Sequence, residues 1–189
     1  TVKIKNFDNT ISSIPAKAFV TDSFVNWRGI QIAEVRRIKR SITIDLDTIK
    51  FCDEPLLEKM KEIESVKEYI LAQGKEIQDH NKLIGANKSN PANGRNLTNL
   101  GIFRIYATNY LKNHDLLSSD HSLMVRQLQP LNTGLPLEIY CFAKEINWVP
   151  YEGIVSDIFD HLIASAPLFG LKIYQAPTSS SGYPFNPEN

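Results

Sequence analysis

The stretch RIKRSITIDL (37–46) is the first long strand candidate of the chain. Ile38, Ile42 and Ile44 lie on one side of it, because successive side chains of a strand point to opposite faces. A second stretch, LPLEIYCFAKEI (135–146), alternates in the same way, and its residues at 137, 139, 141 and 143 share one face. The two stretches predict a sheet that buries one face.

Helical patterns lie between and after these strands. Asp53 is expected to cap a helix that ends at Gly74, and a polar continuation from Lys75 to Ile84 adds a short amphipathic segment. Other helices are predicted at 98–113 and 150–167, and other strands at 122–129 and 171–175. After residue 36 the order is strand, helices, strand, strand, helix, strand. That order predicts an α+β sandwich of ferredoxin-like type over 36–177, with helices on one face of a largely antiparallel sheet.

The first 35 residues have a different pattern. Val2 and Ile4 alternate with lysines, Asp8-Asn9 supplies turn chemistry, and a second short strand leads to Pro15. Residues 1–35 contain too little apolar material for a closed core. They are interpreted as the C-terminal part of a β domain whose other strands lie upstream or on another chain.

Two segments are predicted to be loops. GANKSNPANGRN (85–96) is rich in Gly, Pro, Asn and Ser, and residues 178–189 have no apolar periodicity. Residues 75–95 are therefore interpreted as an insertion, helical and then mobile, and 178–189 as a flexible tail.

Composition excludes several classes of protein. Of the 189 residues 42% are hydrophobic, and Lys+Arg and Asp+Glu balance at 21 each, so neither disorder nor a general attraction to nucleic acid is expected. No apolar run reaches the roughly 18 residues that a membrane helix needs, and no signal peptide is present. The chain is expected to be soluble. The two cysteines, Cys52 and Cys141, leave open one disulfide or two buried thiols in a reducing compartment.

Six blocks of the sequence, in order, resemble one family. NFDNTISSIPAKAF (6–19), SFVNWRG (23–29) and RRIKRSITID (36–45) resemble the last strands of the Sm-like β domain and the first α/β strand of small-conductance mechanosensitive channels. The miniconductance branch is similar in TNLGIFRIYATNYLKNH (98–114), LMVRQLQPLNTGLPLEIYCF (123–142) and DIFDHLIASAPLFGLKIYQAPT (157–178). Ala16 stands where the wider family often has Asn, and Phe7 where the close branch tends to have Trp.

The resemblance implies a homo-oligomer, a heptamer in the full channel, that forms a hollow cage on the cytoplasmic side of a bacterial inner membrane. Ions and small solutes would cross lateral portals and leave the cell during hypo-osmotic shock. Pore helices, the only contact with lipid, are expected upstream of Thr1, so this portion alone would not conduct. Enzyme activity, a cofactor and a nucleic-acid partner are not expected.

Candidate portal or subunit-interface residues follow from the same resemblance: Asp8, Asn9, Pro15, Phe24, Asn26, Trp27, Arg36, Arg37, Lys39 and Arg40. The last four place four cations within five positions. Our hypothesis is that they border the portals and bias which ions pass. Inter-subunit ion pairs, a solvated rim and an anionic-lipid or anionic-solute site are the alternatives.

Other chemistry-bearing residues are interpreted as structural. Asp157 and His161 have the i, i+4 spacing of two metal ligands, but no third ligand has a matching position, so a solvated helix face is expected. Cys141 falls on the apolar face of its strand, where a thiol acts as a small core residue. No nucleophile elbow or phosphate loop is present, and the remaining histidines lie at loop or helix edges: His80, His114 and His121.

The aromatic residues divide between core and interface. Tyr106 and Tyr110 are assigned to the core, and Phe24 and Trp27 to packing at a subunit interface or domain junction. A competing function comes from another class: a soluble ferredoxin-like domain that senses a small ligand between its strands and helices. If the chain is part of such a channel, the 75–95 insertion is expected to project from the cage wall and modulate gating.

Overall fold

A computed structural model describes residues 1–6, 8–23, 28–87 and 89–176. The chain divides into two compact units, the first covering Thr1–Glu34 and the second beginning at Val35. Each unit is described by itself.

The first unit contains a hairpin and two short helices. Strands β1 (Val2–Lys5) and β2 (Ile11–Ile14) pair antiparallel, with Val2 opposite Ile14. Helices α1 (Ala18–Thr21) and α2 (Arg28–Ala33) follow. No described residue of this unit is buried. A lone two-stranded hairpin is marginally stable in water, so this unit has no core of its own among the residues described.

The second unit contains three strands and four α-helices in its described part. The strands are β3 (Arg36–Ile44), β4 (Met124–Gln127) and β5 (Leu135–Ala143). The helices are α3 (Glu54–Lys61), α4 (Glu64–Leu83), α5 (Asn99–Lys112) and α6 (Trp148–Ser165). Short 3₁₀ turns occupy Leu46–Thr48 and Ala166–Phe169.

The sheet of the second unit is antiparallel, with β5 between β3 and β4. Ile38 lies opposite Cys141 and Ile42 opposite Leu137, so the apolar sets of the two long strands share one buried face. Ile173 forms a bridge to Ile44 on the free edge of β3. The resulting order is that of the split β-α-β-β-α-β arrangement. The predicted α+β class is confirmed.

The fourth strand is shorter than predicted. Residues 171–175 form only the single bridge at Ile173, flanked by main-chain hydrogen bonds from Asp45 to Lys172 and from Tyr174 to Thr43. The chain turns out of a left-handed Gly170 (φ 68°) immediately before this segment. A long regular edge strand does not follow.

The predicted helix end at Gly74 is wrong. The helical segment breaks earlier, at Glu62-Ile63, and α4 then runs through Gly74 to Leu83 as 20 residues. Glycine costs about 1 kcal/mol in a helix interior, which a long helix packed through Val66 and Ile70 tolerates. Gly74 has a helical neighbourhood on both sides and no αL turn, so it does not act as a C-cap.

The predicted helix starts are largely confirmed. The Asp53 carboxylate accepts from the Leu56 amide at 3.0 Å, and the Thr98 hydroxyl accepts from the Gly101 amide at 3.1 Å. These bonds satisfy amides that a helix start leaves unpaired. Helix α6 begins at Trp148, two residues before the predicted Pro150, which lies in its first turn.

The Asn-rich loop 85–96 is tied to α4 through Arg95. The carboxamide of Asn81 donates to the Arg95 carbonyl and accepts from the Arg95 amide, both at 2.8 Å. The Arg95 guanidinium also lies 3.6 Å from a Glu76 oxygen. These contacts hold the C-terminal end of the loop against α4.

Candidate functional site: a basic strand with two faces

The basic run on β3 is divided between the two faces of the sheet. Arg36 and Arg40 are an even number of positions from the buried isoleucines of β3. They therefore lie on the helix-covered side of the sheet, near α6. Arg37 and Lys39 point to the opposite side, which we call the open face. The alternation of side chains along a strand produces this separation.

On the helix side, the cations hold α6 against β3. The Arg36 guanidinium lies 4.2 Å from the centre of the Tyr151 ring, a cation–π contact. The Tyr151 hydroxyl donates to the Arg37 carbonyl at 2.8 Å, and Arg40 pairs with Glu152 at 2.7 Å. Burial raises the pKa of Tyr151, and the charge of Arg36 opposes that rise. Arg36 and Arg40 thus have structural partners within the chain.

The open face is organised around a buried carboxylate. Glu138 on β5 is only 4% exposed, and the Arg126 guanidinium contacts its Oε1 through both Nε and Nη2 at 2.7 Å. Lys39 lies 4.0 Å from the other carboxylate oxygen. Charge-assisted contacts of this kind offset the desolvation of a buried carboxylate.

The open face keeps a positive surplus. Arg37, Lys39 and Arg126 carry three positive charges and Glu138 one negative charge, which leaves +2 on this part of the sheet. Arg37 lies 5.9 Å above the Tyr140 ring, and its side chain and that of Lys39 are exposed. Exposed cations on a sheet attract anions at a distance set by the Debye length, about 8 Å at physiological salt.

Three of the candidates in the first unit are turn and strand-end residues. The Asp8 carboxylate accepts from the Thr10 amide at 3.0 Å and from its hydroxyl at 2.7 Å, and these bonds lower the pKa of Asp8. Asn9 adopts φ 66°, a left-handed conformation that Asn tolerates. Pro15 accepts from the Ala18 amide through its carbonyl. These local contacts explain why Asp, Asn and Pro occur at these three positions, and no functional site is needed to explain them.

Three further candidates, Phe24, Asn26 and Trp27, lie outside the described residues, as does Phe7. The assignment of Phe24 and Trp27 to an interface stays a prediction.

The pair Asp157 and His161 does not build a metal site. Within the described ranges, no group of three His, Cys, Asp or Glu side chains could hold a metal ion. His161 bonds instead to the Tyr106 hydroxyl at 2.7 Å and stacks on Tyr110 at 4.0 Å. Both tyrosines are partly buried and pack against the core, as predicted.

The cysteines are separate thiols. Cys141 is buried in the apolar face of β5, as the alternation predicted, and burial raises its pKa to about 12. Cys52 is partly buried, and burial together with the neighbouring Asp53 charge raises its pKa to about 11. A thiol with so high a pKa is a poor nucleophile near neutral pH.

The pair of Arg126 and Glu138 was not predicted from the sequence. Alternation placed Glu138 on the polar face of its strand, where exposure is the default expectation. The antiparallel register that brings residue 126 opposite residue 138 was the signal needed, and it follows from the turn between β4 and β5.

Comparison with known families adds no identification: no protein-family model matches the chain. Among the described residues, no helix has both the length and the apolar character that a bilayer crossing requires.

Proposed function

We propose that this chain forms part of the cytoplasmic cage of a mechanosensitive ion channel of the small-conductance family, which releases solutes during hypo-osmotic shock. The whole protein would be a homo-oligomer, a heptamer by the resemblance, in a bacterial inner membrane. This portion would face the cytoplasm. Six ordered blocks of resemblance and the ferredoxin-like strand order support the proposal.

The exposed apolar side chains of the first unit are the observation that carries the proposal. Its hairpin leaves Ile11 67% exposed, and further along Val20 and Ile32 are 87% and 74% exposed. Burying apolar surface contributes about 25 cal/mol per Å², so a unit that leaves these side chains in water lacks its main source of stability. Neighbouring strands, from upstream residues or from other subunits, would supply the missing contacts. A channel β domain has that organisation by the resemblance.

The open face gives the cage its electrostatic role in this proposal. Arg37 and Lys39 lie on this face, whereas Arg36 and Arg40 contact α6 on the other side of the sheet. The cations of the open face, with Arg126 among them, would act on ions that pass along it. A surplus of positive charge beside a portal raises the local concentration of anions and lowers that of cations.

Patch-clamp recording from liposomes tests the proposal on the full protein that carries this chain. We expect a conductance that opens under membrane tension. In a salt gradient, Arg37→Glu, alone and with Lys39→Glu, should move the reversal potential toward cation preference. Lys75→Glu, the same charge change at an exposed position of α4, should leave it unchanged. Absence of tension-gated current would contradict the channel, whereas a current with an unaltered reversal potential would contradict only the portal role.

The second candidate is a ligand-sensing domain of ferredoxin-like type. A groove of about 540 Å³ beside α5 favours it, because the volume suits a small molecule. Ligand binding by a chain that never assembles with itself, measured by light scattering, would favour this candidate over the cage.

A further inference from the structure

A groove lies at the C-terminal end of α5, between that helix, α6 and the start of α4. Its volume is about 540 Å³. Five of its lining residues have aromatic rings or titratable side chains: Tyr106, Tyr110, His114, Asp115 and His161. We call it the His161 groove.

A ring of hydrogen bonds sets the tautomer of His161. The Ser165 hydroxyl donates its one proton to the His161 carbonyl at 2.7 Å. The Tyr106 hydroxyl, 3.1 Å from that same Ser165 oxygen, then donates to it and accepts from Nε2 of His161 at 2.7 Å. Because Nε2 carries the proton, Nδ1 of the neutral imidazole is an acceptor. Nδ1 finds no partner in the described part of the chain.

One further polar group of the groove has unused capacity. The Tyr110 hydroxyl has no hydrogen-bond partner among the described residues, although its ring stacks on His161 with planes 7° apart. His114 offers no acceptor to the groove, because its Nδ1 already accepts from the Leu116 amide at 3.3 Å. Nδ1 of His161 and the Tyr110 hydroxyl therefore lie in one groove without a partner within the described residues.

The charge of the groove is negative. Asp115 lines it, and no lysine or arginine does. Burial raises the pKa of Tyr110, and the neighbouring Tyr106 and the Asp157 carboxylate add to that rise. The carbonyls at the end of α5 add a partial negative charge. The Lys144 ammonium opposes them, but it is bound to the Asp115 main-chain carbonyl at 2.8 Å, and Lys112 lies on the last turn of α5 without lining the groove.

We propose that the His161 groove binds a small organic ammonium ion, such as a primary alkylamine. Its N–H groups would donate to the Asp115 carboxylate, Nδ1 of His161 and the Tyr110 hydroxyl, and its alkyl part would lie against the tyrosine rings. Ammonium groups are attracted both to carboxylates and to aromatic faces. The site is independent of the cage proposal, since every group belongs to one chain.

Nuclear magnetic resonance titration of the whole chain tests the site with three probes of similar size. We expect n-butylammonium to shift the ring signals of His161 and His114 with saturation. Neutral n-butanol and anionic n-butyrate, at the same ionic strength, should give no saturable shift. A saturable shift with n-butanol as strong as that with n-butylammonium would overturn the charge argument, and absence of any saturable shift would overturn the site.

A pair of matched variants assigns the contact. Asp115→Asn removes one exposed carboxylate from the groove and should weaken binding of n-butylammonium about fivefold. Asp79→Asn makes the same change on the exposed surface of α4 and should leave the affinity unchanged. Circular dichroism checks that both variants fold. Equal affinities for the two folded variants would contradict the proposal.

Discussion

Arg126 and Glu138 meet across strands β4 and β5, with both Nε and Nη2 of the guanidinium 2.7 Å from one carboxylate oxygen. The pair is asymmetric, because the Glu138 side chain is 6% exposed and that of Arg126 is 51% exposed. The arginine therefore keeps much of its hydration while the carboxylate gives its hydration up. The asymmetry predicts that removing Arg126, which would leave a buried carboxylate without its close partner, destabilises the sheet.

Removing the arginine should destabilise the second unit. Arg126→Met leaves a buried carboxylate without its close partner, and we expect the free energy of unfolding to fall by about 2 kcal/mol. Lys39→Met, which removes a cation 4.0 Å away, should cost less than about 0.5 kcal/mol. Urea unfolding measures both. Adding Glu138→Gln to Arg126→Met should recover part of the loss; no recovery would mean that the arginine acts through packing alone.

Removing one hydroxyl should loosen α6 from β3. Tyr151→Phe deletes the bond to the Arg37 carbonyl and keeps the ring beneath Arg36, so we expect a loss of about 1 kcal/mol in unfolding free energy. Tyr69→Phe is the control, because the Tyr69 hydroxyl has no hydrogen-bond partner among the described residues. Equal unfolding free energies for the two variants would count against the bond.

Alkaline pH should destabilise the fold through Cys141. Burial raises the pKa of its thiol from 9.0 to about 12, so the folded chain binds this proton more tightly than the unfolded chain. The stability it contributes is complete below pH 9 and is lost as the pH rises toward 12. Each pH unit in that window removes at most about 1.4 kcal/mol.

Chemical denaturation at several pH values checks this linkage. Cys141→Ala should be less stable near pH 7, because it opens a small cavity, yet its stability should fall less steeply between pH 9 and 11. Parallel pH profiles for the variant and the parent chain would show that the thiol does not contribute.

Two glycines should respond in opposite directions to alanine. Gly74 lies within α4 with open space where a Cβ would be, so Gly74→Ala should stabilise the chain by about 0.5–1 kcal/mol. Gly134 has φ 113°, and a Cβ there would meet the main-chain oxygen of Ile44. Gly134→Ala should therefore destabilise. Thermal unfolding measures both, and a stabilised Gly134→Ala would contradict the turn geometry.

Alternation and capping allowed much of the second unit to be predicted. Ile38, Ile42 and Ile44 are buried on one face, and Asp53 caps α3, because both signals are local in sequence. Helix ends were less predictable. Gly74 weakens a helix locally, but tertiary contacts of α4 decide whether the helix continues, and no local pattern contains them.

The candidate site depended on pairings that local patterns do not contain. Four cations within five positions suggested one basic patch, whereas strand alternation divides them into two arginines that contact α6 and two cations on the open face. Glu138 required the strand register, and the His161 groove required the packing of α5 on α6. Each feature joins residues 12 or more positions apart, such as Arg126 with Glu138 and Tyr106 with His161.

Because the side chains of β3 alternate between two faces, this segment should tolerate substitutions but not insertions or deletions. An exchange at Arg37 changes one face only. A one-residue deletion between Arg37 and Ile42 would move every following side chain to the other face, so that isoleucines would meet water and polar residues would enter the core. Length variation among homologous chains should therefore be absent from 36–44 and common in 85–96, whose described residues lie outside the strands and helices.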